Sequence, residues 1–332
     1  MIGPRRGVLF GLGGVARQAH LPGFLRGERV AERLRLVGTV DAGRDTAGID
    51  GIPHFTDPRR LDELGPIDFI DICTPTASHL DLTLWGLESG CHVLCEKPVA
   101  LSSAEVRQIR AAARDRVVMP CHQYRYNPAW RQLRDWLEAG AIGEWHLAEF
   151  YVYRTEADAG AGRPGEPWRG LQAQAGGGVF LDHGTHLIYQ LLDVAGMPRS
   201  VQSWAGRLRH RSYDVEDTAQ VLLDFDGRIG VLLLTWAGDR RETRIRFTGS
   251  EGSIEWSNGM LRLTGRHGPL ERDFTAELQK SSYYRWFASL FHEFADRVER
   301  GDAAPSLEDI ARVTQVLEAA YGSHANGCRV AL

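Results

Sequence analysis

The stretch that decides the fold is Gly7-Val8-Leu9-Phe10-Gly11-Leu12-Gly13-Gly14-Val15-Ala16. Its apolar start predicts a short buried strand, and residues 15–27 continue as a predicted helix. The glycines between them match the pattern G-x-G-x-x-G/A, which is informative here because it joins a strand to a helix. Without side chains, the backbone turns tightly and approaches a pyrophosphate at the helix N-terminus. We therefore expect a dinucleotide to contact Gly11, Gly13, Gly14, Val15 and Ala16.

The rest of the first 120 residues alternates apolar runs with helical segments. Helices are predicted at 78–89, before Gly90, and from the capping box at Ser102 to Arg114. Further strands are predicted at 34–40, 67–73, 91–95 and 117–119. Buried strands that alternate with helices form βαβ units, so this part is expected to be an α/β Rossmann domain with a parallel sheet.

The end of the second predicted strand indicates which dinucleotide binds. Asp41 stands there, 25 residues after Ala16, where a carboxylate hydrogen-bonds the adenine ribose and repels a 2′-phosphate. The alternative is a helix-capping or turn aspartate. Arg44, three residues on, is a cation that would offset the repulsion. The sequence predicts NAD as the cofactor, with NADP disfavoured.

Two more predicted strands end in polar motifs. Thr74 and Pro75 follow the fourth strand and are expected to line the cofactor groove, because ligands bind at the carboxyl edge of a parallel sheet. His79 is expected in the first turn of the next helix, beside the same groove. Glu96-Lys97-Pro98 follows the fifth strand, and the proline fixes the turn that aims the two charged side chains.

Lys97 is unusual in this chain because the 39 basic residues include only two lysines, Lys97 and Lys280. Because nearly all basic residues of this chain are arginines, a lysine inside a motif indicates a position that arginine cannot fill. We expect Glu96 and Lys97 to be functional, and a structural salt bridge is the alternative.

The pattern changes after residue 120. Asn127-Pro128 predicts a helix to about Ala139, and Asp226-Gly227 predicts a hairpin turn. Strand-like runs and two closing helices account for most of the remainder: 145–154, 201–208, 218–225, 228–236, 243–248, 289–299 and 307–320. We expect two domains, residues 1–120 and 121–332, the second an α+β domain with a large, open and mostly antiparallel sheet.

A glycine-rich turn leads into the second candidate site. Gly176-Gly177-Gly178 precedes a predicted helix that carries Asp182 and His186. Four residues on an α-helix turn about 400°, so these side chains share one face, and a nearby carboxylate orients and charges an imidazole for acid–base work. Two alternatives remain, ordinary helix-surface residues and a metal site built from Asp182, His183 and His186.

Composition excludes several classes of function. The net charge is −4 with no long run of one sign, which argues against nucleic acid as a partner. No apolar run approaches the length of a membrane span, and Gly11, Gly13 and Gly14 interrupt the run that resembles a signal peptide. Five cysteines are an odd number in a chain of this length, which favours buried thiols in a reducing cytoplasm.

Taken in order, these motifs resemble those of the Gfo/Idh/MocA oxidoreductases over essentially the whole chain. The resemblance rests on the glycine pattern, Thr74-Pro75…His79, Glu96-Lys97-Pro98, Tyr124-Arg125-Tyr126-Asn127-Pro128 and Gly177-Gly178…Asp182…His186. It implies that Lys97, Asp182 and His186 are catalytic and also bind substrate, and that Glu96 lies near the nicotinamide ribose. It also implies a homodimer or homotetramer built on the open sheet.

Some positions are weaker candidates. Gln123 stands where the family usually has asparagine. It is expected to contact the nicotinamide, but it departs from the family pattern in residue type. Candidates for the substrate pocket, placed by loop position with packing or solvated surface as the alternative, are Arg125, Tyr153, Trp168, Arg169 and Tyr283.

The expected function is hydride transfer between a secondary alcohol or ketone of a sugar, sugar derivative or cyclitol and NAD, with no metal. One alternative is a glycosidase or lyase that oxidises its sugar transiently on a retained NAD. The other is a non-catalytic dinucleotide-binding regulator, and minor ones are reductions of imines or dihydrodiols.

Overall fold

The computed structural model describes residues 3–43, 48–158, 168–266 and 268–332. Arg44 therefore lies outside the described residues. The strands are β1 Arg5–Phe10, β2 Leu34–Val40, β3 His54–Phe55, β4 Phe69–Ile72, β5 His92–Cys95, β6 Val118–Pro120, β7 Trp145–Tyr153, β8 Ser200–Gly206, β9 Thr218–Asp224, β10 Ile229–Thr235, β11 Glu242–Gly249, β12 Gly252–Ser257, β13 Met260–Thr264, β14 Leu270–Asp273 and β15 Val330–Ala331. The α-helices are α1 Leu21–Arg26, α2 His79–Glu88, α3 Ser103–Ala113, α4 Pro128–Glu138, α5 Gln172–Ala175, α6 Thr185–Ala195, α7 Tyr284–Arg300 and α8 Ala304–Asn326.

The described chain divides into two compact units. The first contains residues up to 123 together with 280–311, and the second contains 124–158, 168–279 and 312–332. The predicted domain boundary between residues 120 and 121 stays a prediction. The compact units differ from it in two respects, since the first unit extends to residue 123 and also contains residues 280–311.

The first unit is built on a parallel sheet. Within the described residues its strands lie in the order β3-β2-β1-β4-β5-β6, and every neighbouring pair is parallel. This is the strand order of a dinucleotide-binding Rossmann fold, and it places the ends of β1 and β4 side by side, where the strand order reverses. The predicted α/β Rossmann fold is confirmed.

Local chemistry explains where the helices of the first unit begin and end. The Ser102 side chain accepts the N–H of Glu105, and the Glu105 carboxylate accepts the N–H of Leu101. The predicted cap is thus confirmed, although the reciprocal bond reaches Leu101 instead of Ser102. Gly90 follows α2 with φ +77°, as a helix-ending glycine does.

The second unit is built on a mostly antiparallel sheet. Its strands, as far as the described ranges show, lie in the order β14-β13-β12-β11-β7-β10-β9-β8-β15. Most neighbours are antiparallel, but β7 and β10 run parallel. The parallel pair arises because the chain leaves β7 through α5 and α6 and returns as the β8-β9-β10 meander. The large, mostly antiparallel sheet is confirmed.

The sequence pattern found some turns and missed others. Asp226 and Gly227 both adopt positive φ, as the predicted two-residue hairpin requires. Asn258 and Gly259 form a second turn of the same kind between β12 and β13, two strands that were not predicted. The Asn-Gly signal was present in the sequence there.

Two helix starts differ from the predicted regular α-helix. Residues Ala16–His20 and Phe180–Gly184 each form one π-helical turn, which continues directly into α1 and α6 respectively. A π turn is wider than an α turn and is frequent at functional sites. Asp182 lies in the π turn and His186 in the first turn of α6, so the helix between them is not a regular α-helix, and their position on one face stays a prediction.

Candidate functional site

The glycine loop connects β1 to the first π turn and lies beside the end of β4. Gly11 has φ +86°, and a Cβ there would lie 2.8 Å from the backbone of Cys73, so the position admits glycine alone. A Cβ at Gly13 would meet no heavy atom of the described residues within 4 Å. The backbone at Gly13 is thus open to a close-approaching group, as a pyrophosphate site requires.

Asp41 is bonded to this loop. One oxygen of its carboxylate accepts the N–H of Leu12 and the other accepts the N–H of Gly43, both at 2.7 Å. The carboxylate therefore lies beside the glycine loop and organises it, while its expected contact with the adenine ribose stays a prediction. The role in organising the loop was not expected.

His79 connects the two loops that follow β4 and β5. Its ring nitrogens lie 2.9 Å from the carbonyl oxygen of Thr74 and 2.7 Å from that of Pro98. The side chain is 2% exposed, and burial lowers its pKa. The structure places His79 at the first turn of α2 as a connector of Thr74 and Glu96-Lys97-Pro98, while Pro75 is exposed beside it.

Glu96 is buried at the end of β5, directly before the half-buried Lys97. Its Oε2 accepts the backbone N–H of Lys97 at 3.2 Å, and its Oε1 lies 3.1 Å from Nε2 of His20. Burial alone would raise the pKa of Glu96, but the hydrogen bond and charge of His20 outweigh it and lower the pKa. His20, which sequence reasoning missed, thus holds the side chain of a predicted site residue.

Gln123 follows β6, another strand of the parallel sheet. Its Oε1 is buried and has no hydrogen-bond partner among the described residues. A buried amide oxygen without a donor is costly, so this position suits a ligand that brings an N–H. The structure thus gives a reason to keep Gln123 as a candidate despite its departure from the family pattern.

In the second unit, the half-buried carboxylate of Glu216 holds the start of the helical segment that carries Asp182 and His186. Glu216 accepts the N–H groups of Gly178 and Phe180 at 2.9 and 3.1 Å and the hydroxyl of Tyr321 at 2.9 Å. Burial raises the pKa of Glu216, and these hydrogen bonds oppose that rise. Sequence reasoning missed Glu216 and Tyr321, which lie 105 positions apart.

The glycine run is explained by this contact. A Cβ at Gly178 would lie 1.9 Å from the Glu216 carbonyl oxygen, and one at Gly177 would lie 2.5 Å from the Tyr321 hydroxyl. The turn packs too closely against Glu216 and Tyr321 to admit side chains.

Asp182 lies in the π turn with charged neighbours. Its Oδ2 is 3.4 Å from Nε of Arg169 and 3.8 Å from Nε2 of His183. Arg169 also donates to the carbonyl of Asp158 and stacks over the ring of Trp168 at 4.5 Å. The structure therefore brings together three predicted residues, Asp182, Arg169 and Trp168.

His186 lies one turn further on, at the start of α6, and is 9% exposed. Its Nδ1 is 3.0 Å from the hydroxyl of Tyr189, which accepts the N–H of Tyr124 at 3.1 Å. The Tyr124 ring meets the imidazole edge-on at 4.7 Å. Tyr189 and Tyr124 thus hold the imidazole, and the expected orientation of His186 by Asp182 stays a prediction.

Three weaker candidates have other surroundings. Arg125 forms a two-pronged ion pair with Asp193 at 2.7 Å and lies over the Tyr189 ring, which favours the packing alternative. Tyr153 is on the face of β7 opposite the buried residues Phe150 and Val152. Leu191 of α6 packs on the buried face of the sheet, against Gly230 of β10. The sheet therefore separates Tyr153 from His186. Tyr283 belongs to the first unit, where its ring stacks on Trp286 at 4.5 Å.

One cluster of the described residues has metal-like spacing, and it is not the trio considered from sequence. Ligand-type atoms of His20, Asp71 and Cys121 lie within 4.8 Å of one another, whereas Asp182, His183 and His186 form no such group in the described ranges. Both ring nitrogens of His20 are engaged by carboxylates, so we describe this cluster as a hydrogen-bond network.

Four of the five cysteines are buried, as predicted, whereas the prediction was wrong for Cys328. Cys73, Cys91, Cys95 and Cys121 are buried free thiols among the described residues, and Cys328 is exposed. Burial raises the pKa of the first four. None of the described helices has the length and apolar character needed to cross a bilayer.

Two family models match the chain. Residues 5–123 match an oxidoreductase family with an NAD-binding Rossmann fold, and residues 130–255 match the C-terminal domain of the GFO/IDH/MocA proteins. Similar curated proteins include D-glucoside 3-dehydrogenase of Escherichia coli, 28% identical over 59% of this chain and 55% of that protein. The alignment thus spans about half of the length of that enzyme.

Two further proteins are similar over more of their length. The scyllo-inositol 2-dehydrogenase (NADP(+)) IolU of Bacillus subtilis is 24% identical over 74% of this chain and 73% of that protein. A crystal structure of an oxidoreductase from Agrobacterium radiobacter, in complex with NAD+, L-tartaric acid and magnesium, covers 98% of both chains at 23% identity with a TM-score of 0.83. This last likeness confirms the fold.

Proposed function

Because this chain belongs to the Gfo/Idh/MocA oxidoreductase family, we propose that it transfers hydride between NAD and a CH–OH carbon of a sugar, sugar derivative or cyclitol. The observation that carries the proposal is the position of Lys97. It stands at the carboxyl edge of the parallel sheet whose first strand ends in the glycine loop, and its backbone is held by the buried Glu96. Ligands of such sheets bind at this edge.

The first unit fits a nicotinamide dinucleotide. Gly11, Gly13 and the helical backbone from Gly14 on are proposed to hold the pyrophosphate, Asp41 the adenine ribose, and Glu96 the nicotinamide ribose. The unpartnered Oε1 of Gln123 is proposed to accept an N–H of the nicotinamide amide. Val15, Ala16, Thr74 and Pro75 are proposed to complete the groove, with His79 holding its two loops together.

The dinucleotide, when bound, supplies the hydride donor or acceptor. We propose that His186 exchanges the proton of the substrate hydroxyl and that Lys97 stabilises the charge that develops on the oxygen. Tyr189 holds the His186 ring at Nδ1. Asp182 and Arg169, ion-paired beside Trp168, are proposed to bind neighbouring hydroxyls of the substrate, because charged groups form strong hydrogen bonds to polyols.

The substrate class follows from the relatives and from these donors and acceptors. The relatives named above act on a glucoside and on an inositol. We therefore propose a substrate with several adjacent hydroxyls, oxidised at a secondary alcohol.

A panel of sugars, sugar derivatives and cyclitols with NAD⁺, followed at 340 nm, tests the activity. We expect stoichiometric NADH with at least one compound. Turnover of a sugar without net NADH would instead indicate a glycosidase or lyase with a retained dinucleotide. Dinucleotide binding without turnover of any compound would favour a regulator.

Replacement of Lys97 tests the assigned chemistry. Lys97→Met should lower kcat by about 10²–10⁴-fold while the Kd for NAD stays near that of the wild type. Lys97→Arg keeps the charge but not the compact ammonium, so we expect nearly the same loss. Lys280→Met is the matched control, because Lys280 is the other lysine of the chain. An active Lys97→Arg variant would show that positive charge alone suffices.

The proposed preference for NAD rests on Asp41. Its carboxylate would face the 2′-phosphate of NADP with like charge, although the related IolU is named as an NADP(+) enzyme. Asp41→Asn keeps the shape and removes the charge, so kcat/KM for the two cofactors should converge. Equal kcat/KM for NAD and NADP in the wild type would refute the preference.

We also propose a homodimer or homotetramer assembled through the outward face of the nine-stranded sheet, together with a cytoplasmic location. Trp204 and Leu222 on this face are 48% and 39% exposed, and the face continues through Val231 and Leu233. Apolar patches of this kind usually mark interfaces. Light scattering at micromolar concentration should give a multiple of 37.0 kDa, and Leu222→Glu should lower it.

A further inference from the structure

His20 is a completely buried ionisable side chain beside the proposed site. It ends the first π turn, is 0% exposed, and packs against the rings of Phe287 and Phe291 at 4.4 and 5.8 Å. A polar ring in such surroundings is tolerated only when both nitrogens find partners. The hydrogen-bond partners of His20 therefore decide its protonation state.

Both partners are carboxylates. Nδ1 lies 2.7 Å from Oδ2 of Asp71, and Nε2 lies 3.1 Å from Oε1 of Glu96. An ionised carboxylate only accepts hydrogen bonds, so two such partners require an N–H on each ring nitrogen, which only the imidazolium has. Burial alone would lower the pKa of His20, but the charges and hydrogen bonds of Asp71 and Glu96 outweigh it and raise the pKa to about 9.

The other ionisable groups around this network do not replace His20. Burial raises the pKa of Asp71, and the thiol of Cys73 lies 3.9 Å from its Oδ1. The thiols of Cys95 and Cys121 also face the carboxylates, and burial keeps them neutral. The charge of Lys97 helps to lower the pKa of Glu96, and the charge of Glu96 opposes the fall that burial causes in the pKa of His79. In this network His20 is the cation that both carboxylates share.

The network reaches the reaction site through Glu96. One carboxylate oxygen is held by His20 and the other accepts the backbone N–H of Lys97. We propose that His20 is a positioning residue that acts through Glu96, holding its carboxylate in the orientation that fixes the backbone at Lys97. The inference rests on the proposed function only for the role of Lys97.

The test compares His20→Gln with His92→Gln in the full chain. Glutamine keeps a hydrogen-bond donor and removes the charge. His92 is the matched control, because it is a buried histidine of β5 whose Nδ1 accepts the N–H of Val117 and whose pKa burial lowers to about 4. His20→Gln should lower kcat about 10- to 100-fold with little change in the Kd for NAD, and His92→Gln should stay within about threefold of the wild type.

A spectroscopic readout is independent of activity. With only two lysines, selective ¹⁵N-lysine labelling gives two backbone amide signals, from Lys97 and Lys280. The Lys97 signal should shift with pH around 9 in the wild type and in His92→Gln, and this shift should be lost in His20→Gln. The Lys280 signal is the internal control. Ring ¹³C labelling should show His20 as an imidazolium at pH 8.

The outcomes separate the inference from the proposed function. If no compound of the panel is turned over, the proposed function fails, and the Lys97 amide still decides whether His20 fixes that backbone. A His20 ring that titrates at or below 6.5 would overturn the inference. So would an unresponsive Lys97 signal, a wild-type kcat in His20→Gln, or a stoichiometric metal ion held by His20, Asp71 and Cys121.

Discussion

The two units share one backbone arrangement, which has different surroundings in each. In each, a glycine-rich loop leads into one π turn and then an α-helix, at Ala16–His20 before α1 and at Phe180–Gly184 before α6. The first turn encloses its histidine completely between Phe287 and two carboxylates. The second turn keeps Asp182 partly exposed beside Arg169.

The two turns are also anchored differently. The first is held by side-chain charges, through His20. The second is held by backbone amides that converge on a single carboxylate, Glu216, which Tyr321 supports. An anchor on backbone amides leaves the side chains of the turn available for substrate, whereas an anchor on the side chain itself commits that side chain to the fold. We therefore propose that the second turn supplies substrate-binding side chains, whereas His20 of the first turn supports the Lys97 backbone through Glu96.

The largest effect should come from His186, at the start of α6 directly after the second π turn. His186→Ala removes the proposed acid–base group, so kcat should fall by about 10²–10⁴-fold, or about 3–5 kcal/mol of barrier, with NAD affinity near normal. Steady-state kinetics and NAD titration measure the two quantities. His146→Ala, an exposed histidine of β7, is the control. Near-wild-type turnover in His186→Ala would mean that His186 is not the acid–base group.

The charge of His20, in the first π turn, should make the free energy of unfolding depend on pH. The pKa of His20 is about 9 in the folded chain and 6.5 as its ordinary value. The contribution of the charged ring is therefore complete below pH 6.5 and is lost as pH rises to about 9, an effect of roughly 3 kcal/mol. Urea unfolding measures the difference in unfolding free energy between the wild type and His20→Gln. This difference should be smaller at pH 9.5 than at pH 6.5 by an amount of that order. A constant difference would indicate a neutral ring.

Sequence alone predicted the parts whose signals are local. The G-x-G-x-x-A pattern, the Ser102 cap and the Asp226-Gly227 turn each place their determinants within a few residues, and each has its predicted structure. The π turns have no such signal, because their extra residue per turn follows from packing. His20 meets Asp71 and Glu96 across 51 and 76 positions.

The sequence nevertheless contained one signal of the hydrogen-bond network around His20. Asp71 interrupts the apolar run of residues 67–73, and a charged residue in a buried strand needs a partner. The sequence does not say which residue supplies it, since strand register decides that. In the second turn Glu216 and Tyr321 gave no comparable signal, so the helix was predicted but its anchor was not.

Crowding the anchor of the second turn should cost stability. Gly178→Ala would place a methyl group 1.9 Å from the carbonyl oxygen of Glu216, so the backbone must shift. We expect a loss of about 1–3 kcal/mol in unfolding free energy, as for other overpacked sites. Gly322→Ala in α8 is the matched control, because its Cβ meets no described atom within 4 Å and a helical alanine is favoured. Equal stability of the two variants would show that the turn tolerates side chains.

The smallest effect isolates the hydroxyl of Tyr321. Tyr321→Phe removes one of the hydrogen bonds that Glu216 accepts and leaves the ring in place, so the free energy of unfolding should fall by about 1 kcal/mol. The same hydroxyl lies 2.5 Å from where a Cβ of Gly177 would be, so it is also the closest obstacle to a side chain there. Gly177→Ala should therefore cost less stability in the Tyr321→Phe background than in the wild type, as a double-mutant cycle by urea unfolding measures. Additive losses would show that the hydroxyl does not set the spacing of the turn, and that Glu216 alone anchors it.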